Sequence, residues 1–243
     1  MKINFLYIVL VVLNLVYCCN IANASENQMT LTLQTRGKIS IVLYGLGEVT
    51  IDWNDGTKIK TYTLTEKDLY RYSGLRYRGG HRITHKYKDI KRRVITITGE
   101  NILRLDCSGI GLIDIDVSNN DLLRSLKCNN NQLTKLDGFN LNSGLLALEC
   151  NDNQLISLNL NHNTKLIVFS GANNQLDTNA LNNMFWSLHE LPICKSVSLV
   201  ENPGILYSDT SIALKKGWKV HTEYENVLTP DPCFCDGDNT EKK

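Results

Sequence analysis

The sequence predicts a β-rich repeat protein: a short solenoid of about four coils, preceded by a small β-sandwich and closed by an α/β cap. Three observations carry this prediction. Leucine, cysteine and asparagine recur with a period near 21 residues in the middle of the chain, β-branched segments alternate before them, and a helix followed by short strands comes after them. The formal net charge of +1 shows no overall basic excess of the kind that marks nucleic-acid-binding proteins.

The repeat occupies residues 102–188. Cys107, Cys128 and Cys150 lie 21 and 22 residues apart, and each ends an L-x-x-L-x-C segment, or in the first copy I-x-x-L-x-C. An asparagine follows three residues later in two of these copies and a leucine five residues later in all three, which is the leucine-rich repeat pattern. A fourth copy ends at Gly171, and a second half-unit carries its own asparagines. The repeated cysteine and asparagine positions are Cys107, Cys128, Cys150, Asn131, Asn153, Asn174, Asn120, Asn142 and Asn163.

The spacing predicts where these side chains lie. Alternate residues of a short strand face one side, so the leucines and cysteines of stacked parallel strands share a buried core that no single coil can make alone. The asparagine amides then bond the unpaired backbone of neighbouring coils. We expect the cysteines to pack as buried free thiols, with no metal bound.

The outward strand positions form columns that are candidate binding residues. One column alternates in charge through Asp106, Lys127 and Glu149 and ends at Ser170, which favours attraction between adjacent strands. The neighbouring columns contribute Arg104, Ser125, Asn129 and Asn151.

The N-terminus, residues 1–24, has the features of a signal peptide. A 13-residue apolar run follows Lys2, too short for a transmembrane helix of about 20 residues, and Ala22-Asn23-Ala24 offers a cleavage site. The alternatives are a buried N-terminal helix or lipoprotein processing at Cys18 or Cys19. We expect an exported mature protein, secreted or associated with the outer surface, without a transmembrane helix.

Residues 28–101 predict a β-sandwich, because six or seven short segments there are β-branched and alternate in polarity. This region carries 14 basic and 8 acidic residues over positions 25–101. A loop over residues 70–82 holds Tyr72, Tyr77 and Arg78, which are suited to stack on sugars or bind anions. The alternative is a solvated loop whose tyrosines pack on the sandwich.

After the repeats, residues 176–222 predict a helix-and-strand cap that overlaps the last coil. The helix is expected over residues 179–191 with Asp177 or Thr178 as its cap. Residues 229–243 are polar and acidic, which predicts a disordered tail. Pairing among Cys194, Cys233 and Cys235 stays open.

These motifs resemble exported Bacteroidetes leucine-rich repeat proteins and the cysteine-ladder repeats of internalin J. Residues 53–56, 84–87 and 94–99 look like the Ig-like, PKD-like domain that often precedes such repeats. The resemblance implies adhesion to, or binding of, proteins outside the cell, with the repeats as the contact surface.

The sequence predicts a binding module and not an enzyme. It has no HExxH, GxSxG, P-loop or dinucleotide glycine motif, and its five histidines are scattered. We therefore expect no cofactor, a monomer, and a protein or glycan partner, but no nucleic acid. Protein binding through the strand columns is the first hypothesis, and the alternative is a carbohydrate-binding accessory protein that uses the loop 70–82.

Overall fold

A computed structural model describes residues 27–69, 71–73, 76–136, 143–191 and 195–223, with the backbone alone for 71–73 and 76–78. The predictions for the signal peptide, Cys18, Cys19, Asn142, Cys194, Cys233, Cys235 and the tail lie outside these residues. Within them the chain forms one mixed sheet of ten strands, a separate two-stranded hairpin and few helices, which confirms the β-rich prediction.

The N-terminal strands are β1 (Gln28–Asp52), β2 (Lys60–Leu64), β3 (Arg71–Ser73), β4 (Arg76–Arg78) and β5 (His81–Thr98). The strands that follow are β6 (Asn101–Asp106), β7 (Leu112–Asp116), β8 (Ser125–Lys127), β9 (Ala147–Glu149), β10 (Val168–Ser170), β11 (Lys195–Ser198) and β12 (Trp218–His221). Two α-helices, α1 (Thr178–Ser187) and α2 (Ser211–Lys215), and two short 3₁₀ helices, Glu66–Asp68 and Ile205–Tyr207, complete the described elements.

The N-terminal region differs from the predicted sandwich of separate short strands. Three of the predicted strands are joined in the 25-residue β1, which pairs antiparallel with β5 first over residues 28–35 and again over 37–43. Gly37 and Gly47 adopt φ of +88° and +89°. Such conformations bend a strand at little cost for glycine, so the sheet folds over while its hydrogen bonding continues.

The N-terminal sheet is continuous with the repeats. On β1, Tyr44 pairs with Arg104 of β6 in antiparallel register, and Leu31 pairs with Ile115 of β7. β6 in turn runs parallel to β8. The backbone edge of the first repeat strand is therefore hydrogen-bonded to β1 and not open to solvent.

Six parallel strands form the ladder in the order β6, β8, β9, β10, β11, β12. The repeat alignment places four of them, and the sequence assigns the segments of β11 and β12 to the cap. In the structure these two strands continue the same ladder in register, with Phe169 opposite Val197 and Val197 opposite Val220.

One hydrophobic core runs through the described residues, from Met29 at the N-terminal end to Trp218 at the C-terminal end. Helix α1 begins one residue after Asp177, whose Oδ1 accepts a hydrogen bond from the Ala180 amide at 2.7 Å. The helix ends at Ser187, earlier than expected, and buries Met184 and Phe185. No helix in the described part of the chain is long and apolar enough to cross a membrane.

Candidate binding face of the strand ladder

The inward side of the ladder carries the cysteines. Cys107, Cys128 and Cys150 are 0% exposed and form no disulfide. The Cys107 thiol donates to the Lys127 carbonyl of the next coil at 3.3 Å. Burial raises the pKa of all three thiols above the ordinary value, so the neutral form dominates and nucleophilic chemistry is disfavoured.

The asparagines bond adjacent coils together. Asn153 Nδ2 donates to the carbonyls of Cys150 in its own coil and of Cys128 in the preceding coil, at 3.1 and 3.0 Å. Its Oδ1 accepts the Leu133 amide at 3.0 Å. Asn131 and Asn174 repeat this pattern one coil to either side. Each side chain thus satisfies backbone groups that the buried turn leaves without a strand partner.

The second set of asparagines lies at turns on the other half of each coil. Asn120 and Asn163 are 1% and 0% exposed. The main-chain carbonyl of Asn120 accepts the Leu123 amide at 3.0 Å, and that of Asn163 accepts the Leu166 amide at 3.1 Å. These residues therefore sit at equivalent turns of two coils, as their spacing predicts.

Sequence alignment missed a fourth asparagine of the first set, Asn202. Its Oδ1 accepts the Leu176 amide at 3.2 Å, and its Nδ2 donates to the carbonyls of Gly171 and Leu199 at 2.9 and 3.0 Å. The sequence Val197-x-Leu199-x-x-Asn202 has the same spacing of apolar residues and asparagine as the earlier coils. The Pro203-Gly204 pair that follows is typical of a turn, so the sequence alone indicates a simple turn here.

In five successive coils, the residue immediately before the position of this asparagine has a left-handed backbone conformation. In the first coil that position is Ile110. The residues with this positive φ are Gly109, Asn130, Asp152, Asn173 and Glu201, with values of 50–68°. Glycine, asparagine and aspartate adopt this conformation more readily than most residues. Glu201 is the exception, and it follows β11, one of the two ladder strands that the sequence assigns to the cap.

Gly171 replaces the ladder cysteine for a steric reason. Phe169 occupies the slot that holds leucine in the preceding coils, and its ring is buried. A Cβ atom on Gly171 would lie 2.6 Å from Phe169 Cζ. The larger ring therefore fills the space that a thiol takes in the other coils, and the two departures compensate each other.

The outward side of the ladder presents two aligned columns, extended by β11 and β12. The first column is Arg104, Ser125, Ala147, Val168, Ser196 and Lys219. The second column is Asp106, Lys127, Glu149, Ser170, Ser198 and His221. Together these columns define the ladder face.

Two charged members of the ladder face, Lys127 and Glu149, are paired with each other. Lys127 Nζ lies 2.8 Å from Glu149 Oε2, and Asn129 Nδ2 donates to the same oxygen at 3.3 Å. Asn129 Oδ1 accepts the Asn151 amide, and Asn151 Oδ1 accepts the Ala172 amide, both at 2.8 Å. The two asparagines predicted as binding residues thus spend much of their hydrogen-bonding capacity on neighbouring coils.

Arg104 corrects another expectation. We predicted an exposed binding residue, but Arg104 is 6% exposed. Its guanidinium carbon lies 5.1 Å from the centre of the Tyr44 ring on the adjacent strand β1. A cation over an aromatic face is attracted to it, so Arg104 joins the N-terminal sheet to the first coil.

The chain returns from the β3–β4 hairpin to β5 beside the ladder face. The backbone of Gly80 packs against Tyr44 and Val42, since a Cβ there would lie 2.6 Å from Tyr44 Cζ. Tyr44 shares a face with Arg104 because directly paired strand residues project to the same side. Tyr72 and Tyr77 pair across the hairpin in backbone register, while their side chains and that of Arg78 lie outside the described residues.

The described residues contain no group of three His, Cys, Asp or Glu side chains placed to hold a metal ion. What they do contain is a parallel ladder with one short strand per coil, an inward leucine and cysteine layer, and asparagines that bond successive turns. This arrangement is a leucine-rich-repeat-like fold.

Two solved structures from Listeria monocytogenes are similar to the chain. The functional domain of InlJ, which includes a cysteine ladder, matches at 25% identity and a TM-score of 0.38, over 51% of this chain and 27% of that one. An internalin, inlF, matches at 34% identity and a TM-score of 0.29, over 35% of this chain and 24% of that one. The chain thus spans about a quarter of each. No protein-family profile matches it, and no curated protein does either.

Proposed function

We propose that the chain is a non-catalytic, exported binding module that engages another protein through the ladder face. The observation that supports this most directly is the regular presentation of two outward columns on a rigid scaffold, whose structural bonds lie on the inward side and at the turns. The signal peptide, the monomeric state and the Bacteroidetes-type, PKD-like assignment of the N-terminal region belong to this same proposal.

The ladder face alone binds weakly under this proposal. Its columns contain serine, alanine and one valine, and Lys127 is already paired with Glu149. Interfaces usually depend on Trp, Tyr or Arg residues in desolvated pockets, and the columns provide no such exposed residue. We expect a dissociation constant in the range of about 1 µM or weaker. Tighter binding would recruit the adjacent hairpin, and salt would then weaken it by screening the arginines.

The test uses one array that carries immobilised extracellular proteins and a panel of glycans, probed with residues 25–243. Ser125→Arg combined with Ser170→Arg adds bulk to the ladder face. Gln132→Arg combined with Gln154→Arg adds the same bulk and charge at exposed turn positions outside the columns. Protein binding that the first variant loses and the second retains supports the proposal. Protein binding retained by both variants contradicts it.

The second candidate function is glycan binding through the β3–β4 hairpin. The register that places Tyr72 opposite Tyr77 favours it, because paired aromatic residues are common in sugar recognition. Changing Tyr72, Tyr77 and Arg78 together to alanine separates the two candidates. Loss of signal on the glycan spots, with no effect of the Ser125→Arg and Ser170→Arg pair, would favour the hairpin.

A further inference from the structure

A second outward surface lies on β1 and β5, on the far side of β1 from the coils. The register places Lys38 opposite Lys86, Ser40 opposite Thr84, and Val42 opposite Arg82. Directly paired residues project to the same side of a sheet. The alternate residues Ile39 and Ile41 are buried at 4% and 0% exposure, which identifies the opposite side as the outward one. We call Lys38, Arg82, Lys86, Ser40 and Thr84 the basic strand face.

The charges of the basic strand face are uncompensated, in contrast to the ladder face. Lys38, Arg82 and Lys86 are all exposed, and no described carboxylate lies within 4.0 Å of any of them. Two lysines directly opposite each other destabilise a strand pair. An anionic ligand would neutralise these lysines and remove their repulsion, which favours its binding to this surface.

The bend next to this face strengthens its positive potential. Arg36, Lys88 and Arg92 are exposed there and likewise have no ion pair with a described carboxylate. Asp89, the one acid between residues 82 and 98, is already engaged by Lys91 and Arg93. The bend therefore adds cations to the face without adding a free carboxylate, while on the other edge of β1 the register places Asp106, whose Oδ1 accepts the Ser108 amide at 3.1 Å, opposite Val42.

The side chains indicate the chemistry of the ligand. Arg82 Nη1 donates to Ser40 Oγ at 3.0 Å, which orients the guanidinium along the strands, and hydroxyl groups alternate with the cations. Val42 and Tyr44 on the same side are 7% and 8% exposed, so no large apolar side chain is available as the anchor that protein interfaces need. A flat row of cations and hydroxyls fits a flexible polymer with repeated anionic groups and hydroxyls.

We propose that the basic strand face binds an acidic polysaccharide, one that carries sulfate or carboxylate groups along its chain. The register places Val42 between Arg82 of this face and Asp106 of the ladder face, so the two faces are neighbours on one side of the sheet, but this proposal does not depend on the protein-binding proposal. The competing explanation is that the cations only protect the open edge of β5 from pairing with other chains. That explanation predicts no binding beyond what any equally charged surface shows.

The test measures binding of residues 25–243 to heparin, polygalacturonate, poly-glutamate, phosphatidylserine vesicles and neutral dextran by calorimetry, and retention on a heparin column in a salt gradient. The test variant combines Lys38→Ala, Arg82→Ala and Lys86→Ala. The matched control combines Lys58→Ala, Lys60→Ala and Lys165→Ala, which removes the same charge from exposed positions elsewhere. Thermal unfolding of each protein verifies its fold, and Lys86→Ala alone replaces the triple variant if that variant unfolds.

We expect heparin or polygalacturonate to bind and dextran not to bind. The test variant should bind about tenfold more weakly and elute at lower salt, while the control changes the affinity by less than about twofold. A Ser125→Gln and Ser170→Gln pair, which adds bulk to the ladder face without adding charge, should leave heparin binding unchanged. Equal losses in test and control variants overturn the proposal, as does an unaffected test variant. Stronger binding to phosphatidylserine vesicles or to poly-glutamate than to either acidic polysaccharide also overturns it.

Discussion

The coils and the N-terminal sheet are stabilised in different ways, although they share one sheet. The coils repeat the same kinds of contact: an inward leucine layer, with cysteine in three coils, and asparagines that each bond two successive turns. In the N-terminal sheet, the contacts do not recur at a fixed spacing in the sequence. A periodic sequence can therefore specify the coils locally, whereas the N-terminal sheet depends on pairs that are distant in the chain.

One cluster in the N-terminal sheet illustrates the second kind of contact. The rings of His85 and Trp53 stack at 4.6 Å with an angle of 9° between their planes. His85 Nε2 lies 2.7 Å from Asp55 Oδ2, and the Tyr87 hydroxyl donates to the Trp53 carbonyl at 2.9 Å. These contacts join the turn after β1 to the middle of β5.

The largest expected effect comes from removing one repeated contact, with Asn153→Ala. The change leaves the buried Leu133 amide without its acceptor, and it removes one of the two asparagine donors from each of the Cys128 and Cys150 carbonyls, which keep Asn131 and Asn174. We expect the free energy of unfolding to fall by about 3 kcal/mol, because one unsatisfied buried amide costs about 1–3 kcal/mol and each hydrogen bond lost to a carbonyl about 0.5–1.5 kcal/mol. Urea unfolding measures it, with the exposed Gln154→Ala as control. A loss below about 1 kcal/mol would mean that the asparagines are not the main link between coils.

The next effect tests compensation within a coil. Gly171→Cys restores the repeat cysteine but introduces a Cβ that would lie 2.6 Å from Phe169 Cζ. We expect a loss of about 1–3 kcal/mol from overpacking. Adding Phe169→Leu should recover much of this loss because both positions then match the preceding coils. A double-mutant cycle measures the coupling, and strictly additive effects would contradict the steric explanation.

A smaller effect is expected in the N-terminal sheet at acid pH. Hydrogen bonds from Thr57 and then from His85 lower the pKa of Asp55 from 3.8 to about 2. The folded-state pKa is depressed, so this contribution to stability is complete above pH 3.8 and is lost as the pH falls towards 2. Asp55→Asn should flatten the dependence of unfolding free energy on pH between 4 and 2. The same slope in Asp55→Asn and the native chain would exclude this role, and Asp114→Asn serves as the control.

The smallest effect concerns the ion pair on the ladder face. Lys127 and Glu149 retain 22% and 27% of their side-chain exposure, so water and salt screen their attraction. A double-mutant cycle with Lys127→Ala and Glu149→Ala should give a coupling of about 0.2–1 kcal/mol that shrinks at high salt. A coupling above about 2 kcal/mol, insensitive to salt, would show that this pair is a structural link comparable to the asparagines.

Local spacing is sufficient for the coils because neighbouring coils are also neighbours in sequence. It predicts inward positions for the cysteines and backbone bonding for Asn131, Asn153 and Asn174, as the structure has them. It failed for Asn202, where a 28-residue interval containing α1 separates the residue from Asn174. The inserted helix breaks the period while the stacking of strands continues.

The candidate sites depended more on distant contacts. The columns of the ladder face follow from the repeat, yet the burial of Arg104 requires Tyr44, which lies 60 residues earlier in the chain. The position of Gly80 against Tyr44 and the pairing of Lys38 with Lys86 likewise follow from how β1 folds over. Composition alone does not specify which of the basic residues share a face.

The sequence by itself determined the repeat, its inward leucine and cysteine layer and the asparagine turns, because those contacts recur at a spacing that the chain displays directly. Only the tertiary structure decided that β1 is one folded-over strand, that it pairs with the first coil, and that the ladder extends to β12. The physical reason is that antiparallel pairing between distant segments depends on register and on bends at single glycines, which leave no periodic trace in the sequence.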